Sequence, residues 1–402
     1  ISNEKFWQPI KPVISNLKIR GSWGLVGNDA TNAGRFAYME DLVLGGSDSY
    51  TTGIRQDTYY SGPSWNRYFN PDLTWEVGEK INLGLDLQLF NDFNLTFDIF
   101  REKRRDIFMT RENSIPEIVG TGETKITSNN GEMENKGLDL AIDYNKQITK
   151  DFFLSFKSTL TFARNKVLKM DESPYFEYPG LSDVGHPLGT YWGYVADGLF
   201  PDQETIDNSP RQDLGYTPQP GDIKYVNQPN AKGEYDNVIN SNDRVAIGHP
   251  YDPELVYGFG PSMKWKNWDF SFFFQGVART SFMMYGMHPF GTTSIKNMLQ
   301  FVADDHWSVD NPNPNAAYPR LTKDSNGNND QYSTYWLRNA AFLKLKNAEI
   351  GYTYKGMRFY LSGVNLLTFS PFKHWDPEMG GGNGLYYPTQ RVFNIGFQMT
   401  IQ

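Results

Sequence analysis

The chain of 402 residues contains no cysteine, which removes disulfides, thiol nucleophiles and cysteine-ligated zinc or iron–sulfur centres. It also lacks any apolar run of 18 residues, and its mean hydropathy is -0.56, so no transmembrane helix is encoded. Crossing a membrane with strands stays open, because a barrel buries only alternate residues in lipid. Basic residues are not in surplus: 38 Lys and Arg against 46 Asp and Glu give a formal charge of -8, without a long basic block. That balance argues against nucleic-acid binding, which needs phosphate neutralisation. Histidine is scarce, and His186, His249, His288, His306 and His374 are scattered without metal-ligand spacing. No Gly-x-Ser-x-Gly nucleophile elbow occurs, and Asp304-Asp305 before His306 and Trp307 reads as a solvated loop edge, so neither catalysis nor a cofactor is expected. No charged and apolar leader opens at Ile1; the expectation is that a leader was removed or that the chain is the later part of a longer polypeptide.

What is present is alternation. Ile81, Leu83, Leu85, Leu87 and Leu89 interleave with Asn82, Gly84, Asp86 and Gln88, which is the side-chain period of a strand with one apolar and one polar face. The same pattern recurs at Leu17 to Leu25, Leu95 to Ile99, Leu138 to Tyr144, Leu154 to Phe162, Tyr257 to Trp265 and Trp268 to Phe274. Leu343 to Tyr354, Phe359 to Asn365 and Phe393 to Ile401 complete the set, and a phase slip at Lys346-Asn347 predicts a β-bulge. Short connections are predicted near residues 91, 148, 267 and 355, and long loops near 28–77, 102–136, 165–255, 280–340 and 367–390. Nothing resembles an interdomain linker, so one continuous architecture over residues 1–402 is expected.

About ten amphipathic strands with all short turns at one end and all long loops at the other define an all-β, antiparallel transmembrane barrel portion. The turns would face the periplasm and the loops the cell exterior. A soluble sandwich or propeller predicts similar connections at both ends. The aromatic content of 15% suits lipid-facing bands, interfacial girdles and stacking surfaces, and Trp265 and Trp268 beside a short turn are expected in the girdle.

Several segments resemble the C-terminal half of the SusC/RagA family of TonB-dependent outer-membrane transporters of Bacteroidetes. They begin with Tyr68-Phe69-Asn70-Pro71-Asp72-Leu73-Thr74-Trp75-Glu76, Asn135-Lys136-Gly137-Leu138-Asp139 and Gly185-His186-Pro187-Leu188-Gly189-Thr190-Tyr191-Trp192-Gly193-Tyr194. Gln219-Pro220-Gly221-Asp222-Ile223-Lys224-Tyr225, Asn242-Asp243-Arg244-Val245-Ala246-Ile247-Gly248, Tyr318-Pro319-Arg320-Leu321, Trp336-Leu337-Arg338-Asn339 and Val364-Asn365-Leu366-Leu367-Thr368 follow in the family's order. The resemblance implies a 22-stranded barrel of which this chain supplies the last strands, with an N-terminal plug and the earlier strands outside it. It implies a place in the bacterial outer membrane, import of glycan or peptide oligomers, energy through the TonB complex acting on the plug, and a SusD-like surface lipoprotein as lid. Lipid and the remaining plug and barrel segment are further implied partners. Ten strands alone would leave two unpaired edges in lipid. A non-transporting adhesion barrel and a soluble secreted glycan-binding β protein are the alternatives.

The loop aromatics are the candidate ligand contacts: Tyr59, Tyr60, Trp65, Tyr191, Trp192, Tyr194, Trp307, Tyr335, Trp336, Trp375, Tyr386 and Tyr387. Flat rings grip sugar faces or peptide side chains, although the same rings also serve to pack long loops together. Phe282, Met283, Met284, Tyr285 and Met287 form a candidate adaptable surface for the lipoprotein, with packing on the barrel rim as the equal alternative. Asp324, Asn326, Asn328 and Asp330 space oxygens as a calcium loop does, but Tyr335 stands where a bidentate Glu belongs, and a polar loop tip is the competing reading. The family's calcium-like stretch is replaced here by Asn227 to Asp236, with Pro229 and Lys232 at would-be ligand positions. Asp86, Asp98, Asp139, Asp143, Asn394 and Gln398 are expected to line the lumen.

Overall fold

The structure is a computed structural model and describes all residues except 1, 3, 31–33, 46–48, 112, 114, 116–117, 119–125, 173–176, 286–297, 323–324 and 400–402. The alternating segments become ten long strands: β1 (Ile14–Asn28), β2 (Glu76–Leu89), β3 (Phe93–Thr110), β4 (Thr127–Thr149), β5 (Phe152–Lys169), β6 (Leu255–Trp265), β7 (Trp268–Ala278), β8 (Phe342–Tyr354), β9 (Met357–Phe369) and β10 (Val392–Met399). They form one sheet in which spatial order equals sequence order, and every neighbouring pair is antiparallel. Thr400 and Ile401, the last positions of the expected final strand, lie outside the described residues.

The short turns follow β2, β4, β6 and β8, so all of them lie at one end. Their geometry suits their residues: Asn91 has φ 61, Lys266 φ 53, and Lys355-Gly356 has φ 47 and 81, the left-handed values that tight hairpins require. The expected bulge is present, since β8 shifts register against both neighbours at Lys346. One expectation is corrected. Most of the stretch read as a loop at 102–136 is strand, with β3 running to Thr110 and β4 starting at Thr127.

The register sorts the two faces. One apolar row runs Ile19, Leu85, Phe97, Leu140, Leu160 and Tyr257 across six strands, and another runs Leu83, Ile99, Leu138, Phe162 and Leu255. Ile19, Leu83, Ile99, Phe359, Leu361, Phe393 and Ile395 are exposed on this face, as lipid contact demands. The opposite face is polar. Arg20 on β1 donates to Asp86 on β2 and Asp98 on β3, Thr161 donates to Asp139 at 2.7 Å, and Arg358 on β9 pairs with Asp269 and Glu349.

The long connections form a second layer. Segments 170–254, 280–341 and 370–391 share a core in which Ile223, Tyr225, Ile239, Met284, Val302 and Tyr318 are fully buried. Small pairings stitch it together: 191–193 with 245–247, 196–199 with 223–225, and 281–283 with 337–339. The first long loop is different, folding into two small hairpins, 41–43 with 64–67 and 49–52 with 58–61, whose aromatic side chains stand largely exposed.

Candidate ligand site in the loop layer

Asp222 organises the loop layer. The chain reaches it through Gly221, whose φ of +89 favours glycine and where a Cβ would come within 2.3 Å of the Trp307 ring. Asp222 is fully buried, with Arg320 Nε 2.8 Å from Oδ1. The amides of Asn326 and Asn329 donate to the same oxygen at 3.0 and 2.8 Å, and the Gln219 backbone N–H donates to Oδ2 at 2.8 Å. Burial is the largest influence on Arg320 and works against its charge, but the hydrogen bonds it donates to Asp222 and Tyr216, together with the Asp222 charge, outweigh burial and hold the guanidinium pKa above its ordinary value. Arg320 also donates to Tyr216 Oη at 2.8 Å. Beneath this pair the Tyr225 hydroxyl donates to the Asn328 carbonyl at 2.7 Å, and burial pushes the phenol up.

The asparagine run is committed to the protein. Asn326 Oδ1 accepts from the N–H groups of Asn328 and Asn329, Asn329 Oδ1 accepts from Ile223 N, and Asn328 Oδ1 accepts from Gln212. Of the four calcium candidates, Asn326 and Asn328 already accept hydrogen bonds inside the core with their side-chain oxygens, Asp330 is exposed and accepts from Ser325, and Asp324 lies outside the described residues.

Beside the network lies a cavity of about 200 Å³, lined among others by Met284, Tyr285, Tyr318, Arg320, Tyr332 and Trp336. That is below the range for drug-sized ligands and suits one unit of an oligomer. Tyr285 and Tyr332 stand exposed at its edge, and Tyr386 hydrogen-bonds Tyr285, raising the Tyr285 pKa above the usual phenol value. Tyr332 was missed in the sequence; its only signal is membership of the Tyr332 to Trp336 aromatic run.

The predicted ligand aromatics separate into three groups. Tyr194, Trp307 and Trp336 are 3, 7 and 7% exposed and build the loop core, with Trp336 reaching the cavity wall. Tyr191, Trp192, Tyr335 and Trp375 are half-buried, Tyr335 donating to the Ala316 carbonyl and Trp375 to that of Gly380. Tyr59, Tyr60, Trp65, Tyr386 and Tyr387 are exposed; Tyr60 stacks on Tyr50 and Trp65 on Tyr68. Of these twelve, Trp336 lines the cavity and Tyr386 is joined to it through the hydrogen bond with Tyr285. Among the lipoprotein candidates, Phe282, Met283 and Met284 are 5, 3 and 1% exposed and follow the packing alternative: their segment pairs with 337–339 and Phe282 packs edge-on against Phe372. Tyr285 is exposed, and Met287 lies outside the described residues.

The last loop is held on by charge as well as by rings. Lys344 on β8 has a fully buried side chain with Nζ 2.6 Å from Asp376 Oδ2 and a second bond to Glu378, while Lys346 donates to Glu378 at 2.9 Å. Burial alone would raise the Glu378 pKa, but the two lysines overcome it and hold the carboxyl below its usual value.

A meander with an apolar outer face, a charged inner face, tight turns at one end and packed loops at the other defines part of a transmembrane β-barrel wall. Residues 16–366 match the family described as TonB dependent receptor-like, beta-barrel, and the chain belongs to it. That family is one of outer-membrane barrels, and the relatives this chain is similar to include SusC. TonB-dependent receptor P26 of Formosa agariphila is 28% identical over all of this chain and 41% of its own length; TonB-dependent receptor SusC of Bacteroides thetaiotaomicron is 28% identical over 99% of the chain and 39% of its own. The chain thus spans about two fifths of the length of the curated relatives it matches. The solved RagAB peptide transporter superposes with a TM-score of 0.70 at 22% identity, covering 99% of this chain and 42% of that one, which establishes a shared fold.

Proposed function

We propose that this chain is the wall and loop portion of an importer that takes glycan or peptide oligomers across the outer membrane. A SusD-like lipoprotein would close the loop end, and TonB would supply energy through a plug carried by the rest of the polypeptide. The observation that carries the reading is the pairing of a two-faced meander with a packed loop layer that holds a small tyrosine-edged cavity at the loop end. One relative is named SusC and a structural neighbour is described as a peptide transporter, which supports import without choosing between sugar and peptide.

Affinity purification of the full-length polypeptide from detergent-extracted outer membranes, followed by mass spectrometry, tests this. Co-purification of a surface lipoprotein and bound oligomers supports the importer. Release of the protein by carbonate without detergent would falsify it.

A further inference from the structure

The apolar face ends at its loop side in a row of cations. In register above Ile99, Leu138 and Phe162 stand Arg101 on β3, Lys136 on β4 and Arg164 on β5, side by side on adjacent strands. All three are more than half exposed. Like charges directly opposite one another on a sheet repel. Two buried carboxylates relieve part of this: Glu134 lies 2.6 Å from Arg101 and 2.7 Å from Lys136, and Glu254 lies 3.1 Å from Arg164 and 2.6 Å from Arg279. Four cations therefore share two carboxylates, leaving an excess of positive charge in a chain whose net charge is -8.

The position of the row is equally specific. On β4 the outward positions between Lys136 and Lys146 are Leu138, Leu140, Ile142 and Tyr144, and Lys146 at the turn end is paired with Asp92 at 2.9 Å. Ten residues at about 3.3 Å each, tilted by about 40°, rise roughly 25 Å, the height of a barrel's apolar band. Trp23, exposed in the same register row through Ile81, marks an interfacial level.

We propose that Arg101, Lys136 and Arg164 bind the phosphate-bearing headgroup of a membrane lipid in the leaflet on the loop side, whose acyl chains lie on the apolar row below. On the proposed orientation that leaflet is the outer one, and the occupant is a phosphorylated glycolipid. Guanidinium forks and an ammonium are the groups suited to phosphate. A free anion does not use the apolar row, whereas a lipid uses both.

The test uses the full-length protein in phosphatidylcholine nanodiscs with or without purified lipid A, with bound lipid counted by native mass spectrometry. The expected result is lipid A retained by the wild type and binding weakened about five-fold for each cation removed in Arg101→Gln, Lys136→Gln and Arg164→Gln. Glu134→Gln uncovers a cation and strengthens binding, an effect of opposite sign that a folding defect does not mimic. Lys146→Gln, at the other end of the same strand, leaves binding unchanged. Equal retention by wild type and the triple variant overturns the proposal, as does displacement of the lipid by millimolar inorganic phosphate alone. Lipid binding is read without substrate, so its failure and the failure of the importer reading are separate results.

Discussion

Arg20 on β1 reaches across Gly84 on β2 to Asp98 on β3, donating from Nη1 and Nη2 at 2.9 and 2.8 Å, two strands from its own. Arg20, Gly84 and Asp98 occupy one register row, and a Cβ on Gly84 would lie 2.5 Å from Asp98 Oδ1 and 2.6 Å from Arg20 Cζ. The arrangement recurs near the other edge, where Arg358 and Asp269 close over Gly351. Each glycine keeps the polar face clear so that one ion pair can tie three strands together. Gly84→Val is expected to break the clasp and lower stability by about 1–3 kcal/mol, as overpacking does. Loss of the folded band in unheated gel electrophoresis at a lower temperature than wild type checks it; an unchanged transition rejects the clasp.

Removing the Asp222 carboxylate strands Arg320 in the loop core. Asp222→Ala is expected to cost about 3–5 kcal/mol within that layer, as breaking a buried pair does, while the sheet stays folded. Rapid protease cleavage in segments 170–254 and 280–341 with an unchanged folded gel band is the expected signature. Protection equal to wild type would remove Asp222 from its organising role.

His374 should make the last loop acid-sensitive. Its ring stacks on Phe301 at 4.2 Å and meets Tyr318 Oη at 3.3 Å, and burial, then the Arg338 charge, lowers its pKa from the usual 6.5. With the folded value depressed, the unfolded state binds the proton more readily. The stabilisation is complete above about pH 6.5 and is lost as pH falls through the folded value. The protection of amides at 370–391 against hydrogen exchange, taken relative to the intrinsic rate at each pH, should fall from pH 7.5 to 5.5, and His374→Phe should flatten that dependence.

On the proposed importer reading, Tyr285 at the cavity edge and Tyr386, hydrogen-bonded to it, are predicted to contact the oligomer. Tyr285→Ala with Tyr386→Ala should weaken uptake or binding about ten-fold while folding is unaffected, since both rings are exposed. Unchanged binding of the co-purifying oligomer would move the ligand site elsewhere in the loops.

The strands were legible because a sheet with one face in lipid writes its period into the sequence residue by residue. The register slip at Lys346 was legible for the same reason. The 102–136 segment misled because Arg101, Lys103 and Lys136 interrupt the apolar alternation where β3 and β4 rise beyond the lipid band; the strands continue, but lipid no longer dictates their outward side chains. The loop aromatics were visible as residues but not as positions, and no periodicity around Met283 and Met284 could choose between contact surface and packing.

By itself the sequence determined the ten-strand meander, its two faces and the end at which the loops gather, since each is a local consequence of period-two patterning and turn residues. Only the tertiary structure decided which loop residues are core. Asp222 meets Arg320 across 98 residues and Asn329 across 107, and Lys344 meets Asp376 across 32. Contacts of that separation leave no pattern in a single chain, because burial in an irregular layer depends on which segments meet, not on how residues alternate within one.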